Sequence, residues 1–224
     1  MTEETPASAL EKMLTDNQSF ADELAPGQLD SIQHEQNPYI TVLTCCDSRV
    51  RIRAFLADPH PTDNVFVIRN IGNQLAVTSG SVDYGVRHLK TPLLLILGHT
   101  RCGAIKAAST DYRKESLHLV QELNGLHIPV RDIDPKGDPD REWLKAVERN
   151  VHYQMDLAAQ RYSADITAGT LAIIGCVYDF ANLYHKGVGR TILINVNGES
   201  DPTNFTQSDL IRNLPKGLVD AVLA

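Results

Sequence analysis

Five short segments of the chain are apolar almost throughout and rich in β-branched residues. A half-buried strand alternates apolar and polar residues, whereas an uninterrupted apolar run is typical of a parallel strand covered on both faces. The first and third runs each lead directly into residues with metal-binding chemistry. We predict β-strands over residues 39–45, 64–69, 93–98, 170–178 and 190–196.

Between the strands, apolar residues recur every three or four positions, which is the period of an amphipathic helix. The longest such segment begins at Asp138-Pro139, where an N-cap acceptor precedes a proline at the first helical position. Its apolar face consists of Trp143, Val147, Val151, Met155 and Ala158. We predict this long helix and further helices over residues 5–24, 79–89, 103–108, 114–123 and 207–214, with a loop over 129–138.

Helices and strands alternate along the chain, which predicts an α/β fold with a mostly parallel central sheet and helices on both faces. Residues 179–189, between the last two strands, are too few for a crossover helix. We therefore predict four parallel strands plus an antiparallel edge strand. We assign 1–224 to a single domain, with an N-terminal helical arm (1–36), a core (37–200) and a C-terminal tail (201–224). The arm could pack on a partner subunit or on its own domain.

Composition and charge exclude several classes of protein. The chain has 224 residues, 42% of them hydrophobic, and this suits one ordinary α/β domain. A net charge of −7 argues against binding to nucleic acid or to an anionic membrane. The apolar runs are too short to cross a bilayer, and the acidic N-terminus lacks the features of a signal peptide. We therefore expect a cytoplasmic protein.

Two motifs follow strands of the predicted sheet. Cys45, Asp47 and Arg49 alternate after the first strand, so an extended backbone would direct all three to one side. His99 and Cys102 follow the third strand and are one helical turn apart. Open parallel sheets bind ligands beyond the carboxyl ends of their strands. If these two strands are neighbours, Cys45, His99 and Cys102 meet there.

Two thiolates and one imidazole are a favourable ligand set for zinc, and three protein ligands leave a fourth tetrahedral position open for catalysis. Asp47 could accept a hydrogen bond from a water at that position, and Arg49 could hold Asp47 through paired hydrogen bonds. Without Arg49, Asp47 could itself bind zinc and close the site. The N–H of Gly103, at a predicted helix start, could hold an anion or a developing oxyanion.

These motifs resemble those of the β-class carbonic anhydrases. Residues 45–49, Cys-Cys-Asp-Ser-Arg, match the family's Cys-x-Asp-Ser-Arg motif, and residues 98–104, Gly-His-Thr-Arg-Cys-Gly-Ala, match its His-x-x-Cys motif. Residues 67–73 and 80–86 are similar to the family's intervening segments. The resemblance is close over residues 37–110 and weaker over the long helix and the last two strands.

The resemblance implies one Zn²⁺ on Cys45, His99 and Cys102, with Asp47 and Arg49 as a catalytic pair. It implies reversible hydration of CO₂ to bicarbonate by zinc-bound hydroxide. It also implies a dimer, often doubled to a tetramer, with apolar residues near the interface lining the substrate pocket. We assign Phe66, Gln74 and Leu75 to that pocket.

Alternatives share the same residues. Relatives with these ligands hydrolyse carbonyl sulfide or carbon disulfide, and the motif does not distinguish the substrates. A second alternative is a non-catalytic zinc scaffold or bicarbonate sensor. We interpret Cys46 as a small packing residue rather than a redox partner of Cys45, and Cys176 as a core residue.

Overall fold

The computed structural model describes residues 5–54 and 64–223, which divide into two compact units, 1–36 and 37–224. In the first unit, α1 (Pro6–Glu23) begins at a capping box in which Thr5 and Ser8 bond reciprocally. A short 3₁₀ turn follows at Asp30–Ile32. The predicted amphipathic helix is confirmed. Its apolar side chains are about half exposed: Leu10, Met13, Leu14 and Phe20.

The second unit is built on a five-stranded sheet. Its strands are β1 (Ile40–Cys45), β2 (Val65–Asn70), β3 (Leu93–His99), β4 (Ala172–Asp179) and β5 (Arg190–Val196). Their order is β2-β1-β3-β4-β5, and only the β4–β5 pair is antiparallel. The predicted fold class, four parallel strands with an antiparallel edge strand, is therefore confirmed.

Both faces of the sheet are covered, which is why the strand sequences are uninterrupted apolar runs. On one face Leu43, Ile96 and Ile173 belong to a large cluster with residues of the long helix α6 (Pro139–Arg161). On the other face Val42 and Leu97 pack in a smaller cluster that includes Phe205 and Ile211 near the C-terminus. Alternate residues of each strand therefore enter two separate cores.

The shorter helices complete the second unit. They are α2 (Ser79–Asp83), α3 (Gly103–Ala108), α4 (Leu117–Asn124), α5 (His127–Val130), α7 (Ser163–Thr167), α8 (Pro202–Phe205), α9 (Asp209–Arg212) and α10 (Lys216–Val222). Short 3₁₀ turns lie at Ile52–Ala54 and Ala76–Thr78. Among the described residues, no helix combines the length and apolar character needed to cross a membrane.

Several predicted helix boundaries were wrong. The single helix expected over 79–89 is α2 followed by a π-helical turn at Tyr84–His88. The predicted loop over 129–138 begins inside α5, and the tail contains three short helices instead of one. The division into arm, core and tail stays a prediction.

Gly85 allows the π-helical turn to pack closely against the sheet. A Cβ at this position would contact the Thr41 hydroxyl oxygen and lie 2.8 Å from Cδ1 of Phe66. The turn therefore approaches β1 more closely than any side chain would allow, and a regular α-helix over 79–89 would shift the register of this contact.

We expect Gly85→Ala to lower the free energy of unfolding by about 1–3 kcal/mol, because the added methyl group overpacks this contact. Gly80→Ala is the matched control, since a Cβ at Gly80 meets no atom within 4 Å. Alanine favours the helix, so the control should be neutral or slightly stabilising. Urea denaturation of both variants measures the difference, and equal stabilities would contradict the packing argument.

Candidate metal centre

The sheet brings the two motifs together. β1 and β3 are adjacent and parallel, with Thr44 opposite Leu97, so both strands end at the same edge. Cys45 is the last residue of β1 and His99 the last of β3, while Cys102 is the N-cap of α3. Their ligand atoms all lie within 4.8 Å of one another, and all three residues are buried.

His99 is oriented as a metal ligand. Its Nδ1 lies 3.0 Å from the carbonyl oxygen of Thr100, so Nδ1 carries the proton and donates it to this carbonyl. Nε2 is then left with a free lone pair, and this buried atom has no hydrogen-bond partner among the described residues. A buried nitrogen without a partner is costly unless a cation binds it.

The two thiols also fit one ion. Cys45 Sγ and Cys102 Sγ are 3.9 Å apart, close to the separation of about 3.8 Å for two sulfur atoms ~2.3 Å from one tetrahedral zinc. Their hydrogen bond lowers the pKa of the Cys45 thiol, whereas that bond and burial raise the pKa of the Cys102 thiol. One proton therefore stays on the pair, and a divalent cation that displaces it would satisfy both sulfur atoms.

Asp47 and Arg49 form the predicted pair beside these ligands. Arg49 donates from Nε to Asp47 Oδ1 at 2.9 Å and from Nη2 to Oδ2 at 2.6 Å, and its backbone N–H also bonds Oδ1. These hydrogen bonds lower the pKa of Asp47 to about 2. Asp47 Oδ2 lies 3.8 Å from His99 Nε2. The carboxylate is thus ionised, held by Arg49 and next to the open side of the centre.

The sequence is similar to those of known carbonic anhydrases. The family model described as "Carbonic anhydrase" matches residues 40–184, more than half of the chain. Carbonic anhydrase 2 of Mycobacterium tuberculosis is 28% identical over 215 residues, covering 86% of this chain and 95% of the relative. A carbonic anhydrase of Mycolicibacterium smegmatis is 29% identical over 157 residues, covering 68% and 75%.

The chain belongs to the β-carbonic anhydrase family. Solved structures agree with the fold. A β-carbonic anhydrase from Sordaria macrospora superposes with a TM-score of 0.71 at 23% identity, over 84% of this chain and 97% of that one. The Coccomyxa β-carbonic anhydrase in complex with acetazolamide has a TM-score of 0.62 at 25% identity, over all of both chains. The family resemblance seen in the sequence is therefore confirmed.

Membership of this family supports the assignment of the chain as a lyase, and the Cys45-His99-Cys102 group of the chain could hold a metal ion.

Two contacts from neighbouring residues keep Cys45 at the strand end. Arg69 donates from Nη1 to the Cys45 carbonyl at 3.1 Å, and the N–H of Gly72 approaches Cys45 Sγ at 3.5 Å. The latter contact contributes to lowering the pKa of the Cys45 thiol. The loop after β2 therefore completes the surroundings of the ligand.

Phe180 is a site residue that the sequence analysis missed. Its ring stacks on His99 with centroids 5.8 Å apart, and the Arg49 guanidinium carbon lies 4.9 Å from its centroid. One aromatic ring thus contacts both a predicted ligand and Arg49 of the predicted pair. The preceding Asp179 is buried and accepts hydrogen bonds from three backbone N–H groups, of Ala181, Leu183 and Tyr184. The sequence feature that could have indicated Phe180 is its position just past the end of β4, the strand that pairs with β3.

The residues predicted to bind substrate either make contacts within the protein or are exposed. Gln74 is buried, and its Nε2 donates to the carbonyls of Ile71 and Glu122. Leu75 is buried in the large core cluster, and Phe66 packs against it, half-buried. Gly103 is exposed at the start of α3. Their assignment to substrate binding stays a prediction.

The remaining cysteines differ from each other. Cys176 is buried in the smaller cluster, as expected, and burial raises the pKa of its thiol to about 12. Cys46 is exposed, so its interpretation as a packing residue was wrong. The strand ends at Cys45, and the next side chain therefore leaves the sheet.

We expect Cys102→Ala to lose stoichiometric zinc, because one sulfur ligand disappears while His99 and Cys45 remain. Cys46→Ala is the matched control: the exposed thiol is adjacent to Cys45 in sequence but outside the ligand group. Metal analysis of the purified proteins by mass spectrometry measures the difference. Zinc retained by Cys102→Ala, or lost from Cys46→Ala, would contradict this ligand set.

Proposed function

We propose that the chain is a zinc-dependent carbonic anhydrase that interconverts CO₂ and bicarbonate. The observation that carries the proposal is the buried Cys45-His99-Cys102 group, with an unpartnered His99 Nε2, beside a carboxylate held by arginine. Zinc at this centre would supply a Lewis acid that makes water a nucleophile near neutral pH. The family match supports CO₂ as the substrate.

Asp47 would act as a hydrogen-bond acceptor at the open side of the centre. Two thiolates cancel the charge of a divalent cation, so the site benefits from an acceptor that orients the nucleophilic water. Asp47 can only accept, because its pKa lies near 2 and the carboxylate stays ionised at neutral pH. The bidentate contact with Arg49 keeps it from turning toward the ligands.

Arg49 would in turn be held from two sides. Its Nη2 donates to the carbonyl of Arg101 at 3.1 Å, and its guanidinium lies over Phe180. Arg101 lies between the ligands His99 and Cys102, so the arginine joins the Asp47 loop to the second ligand segment. These contacts therefore couple the position of Asp47 to the turn that carries His99 and Cys102.

Self-association as a dimer or tetramer belongs to the same proposal. The Sordaria macrospora structure is described as tetrameric, which supports an oligomer here. The predicted cytoplasmic location stays a prediction.

The activity test must distinguish CO₂ hydration from two alternatives. One is hydrolysis of carbonyl sulfide or carbon disulfide, and the other is a non-catalytic scaffold or bicarbonate sensor.

We expect the zinc-loaded protein to hydrate CO₂ much faster than it releases sulfide from carbonyl sulfide. Stopped-flow measurements with a pH indicator, and sulfide detection under matched conditions, give both rates. Sulfide release that exceeds CO₂ hydration would replace the proposed substrate. Stoichiometric zinc without turnover of either substrate would favour the scaffold or sensor.

Asp47→Asn should retain zinc and lower kcat/KM for CO₂ by about 10²-fold or more, because the amide no longer provides an ionised acceptor. Asp111→Asn is a close control. Asp111 and Arg113 repeat the same Asp-x-Arg hydrogen-bond pattern away from the ligands, with Arg113 Nε and Nη2 at 2.8 and 2.7 Å. Metal content and stopped-flow rates of both variants show whether Asp47 is needed for turnover but not for zinc binding. Wild-type turnover in Asp47→Asn would remove Asp47 from the mechanism.

A further inference from the structure

The backbone between His99 and Cys102 has an unfavourable conformation. Arg101 has a φ of 52°, in the left-handed region that residues with a side chain rarely adopt. Cys102 then returns to an extended conformation as the N-cap of α3. Such a turn persists only where surrounding contacts determine it. The contacts of this turn therefore control the relative directions of the two ligands.

Each of the three carbonyl groups from Thr100 to Cys102 accepts a hydrogen bond from a side chain. His99 Nδ1 bonds Thr100 O, and Arg49 Nη2 bonds Arg101 O. The third donor is Nε1 of Trp143, 2.9 Å from the carbonyl oxygen of Cys102. The first two donors belong to the proposed site itself, whereas Trp143 comes from the second turn of α6, 41 residues further along the chain.

The start of α6 is well placed for this contact. Asp138 caps the helix by accepting from the N–H of Arg141, and Asp140 pairs with the Arg101 side chain at 2.8 Å. The ammonium of Lys106, in α3, lies 5.0 Å from the centroid of the Trp143 ring. Two consecutive residues of the ligand turn, Arg101 and Cys102, therefore bond side chains of one helix end.

We propose that Trp143 is a positioning residue for the metal centre, acting through its Nε1–H bond to the Cys102 carbonyl. The proposal rests on the proposed function, since it assumes that Cys45, His99 and Cys102 hold zinc. The hydrogen bond keeps the Cys102 peptide in the orientation in which Sγ and His99 Nε2 converge. Outer partners of this kind commonly change metal affinity by about 10–100-fold.

A substitution can separate the hydrogen bond that the Trp143 N–H donates from the packing of the indole ring. Tryptophan has one side-chain donor, and phenylalanine fills much of the same space without it. In Trp143→Phe the Cys102 carbonyl loses its side-chain donor and, among the described residues, keeps the backbone N–H of Lys106 at 3.1 Å. The Cys102 peptide is then held less firmly, and zinc should leave more readily.

The test measures the rate at which a chromogenic chelator removes zinc from the full-length protein. We expect Trp143→Phe to release zinc about 10-fold faster than the wild type. Tyr162→Phe is the matched control, because it removes one aromatic donor, to Asp83, at the opposite end of α6. The absorption spectrum of the cobalt-substituted protein should change in Trp143→Phe and not in the control.

A second replacement guards against loss of folding. The chain has a single tryptophan, so biosynthetic incorporation of a tryptophan analogue changes only this position. The benzothiophene analogue keeps the fused ring and replaces the N–H by sulfur. It should also accelerate zinc release, while the metal-free protein still unfolds cooperatively, with a thermal midpoint within about 2–4 °C of the wild type.

Zinc release at the wild-type rate from the analogue-containing protein would overturn the proposal, and an unchanged cobalt spectrum would do the same. Both results would leave Trp143 a packing residue. A wild-type protein that binds no stoichiometric zinc would instead overturn the proposed function, and this inference with it. The wild-type metal content therefore distinguishes the two failures.

Discussion

The parallel pairing of β1 with β3 is the constraint on which the rest of the site depends. Because the two strands are neighbours and run in the same direction, Cys45 and His99 leave the sheet at one edge. A one-residue shift in register would turn one of these side chains to the opposite face. Burial of both sheet faces prevents such a shift, since alternate residues of each strand belong to different cores.

Polar groups around the ligands are satisfied by partners that also determine geometry. Thr100, Arg101 and Cys102 each present a carbonyl to a side-chain donor. Asp179 is a buried carboxylate bound by backbone N–H groups, and it fixes the loop that carries Phe180. Leaving a buried polar group without a partner costs about 1–3 kcal/mol, so this network strongly favours one arrangement. Among the described residues, His99 Nε2 is one of three buried side-chain polar atoms without a partner, and it is the one that a metal at this centre would bind.

Several elements that are far apart in the chain contribute contacts to the candidate metal centre. Arg49 joins the loop after β1 to the turn after β3, and Phe180 adds the end of β4. Trp143 adds the start of α6. A change at Arg49 or Trp143 would therefore act on the ligands through the backbone, and a change at Phe180 would act through its ring contact with His99.

The sequence alone determined the strands, the α/β class and the residues with metal-binding chemistry, because these depend on local patterns and on short spacings. Apolar runs in continuous stretches indicate strands buried on both faces, and Cys-x-Asp-x-Arg and His-x-x-Cys each hold their reactive residues within a few positions of one another. Tertiary structure alone decided which side chains surround that chemistry. Gly85 permits the π-helical turn to lie close against β1, Cys46 is exposed because the strand ends before it, and Phe180 and Trp143 reach the site from 41 or more residues beyond Cys102. Contacts between residues so far apart in sequence follow from packing, which no local pattern specifies.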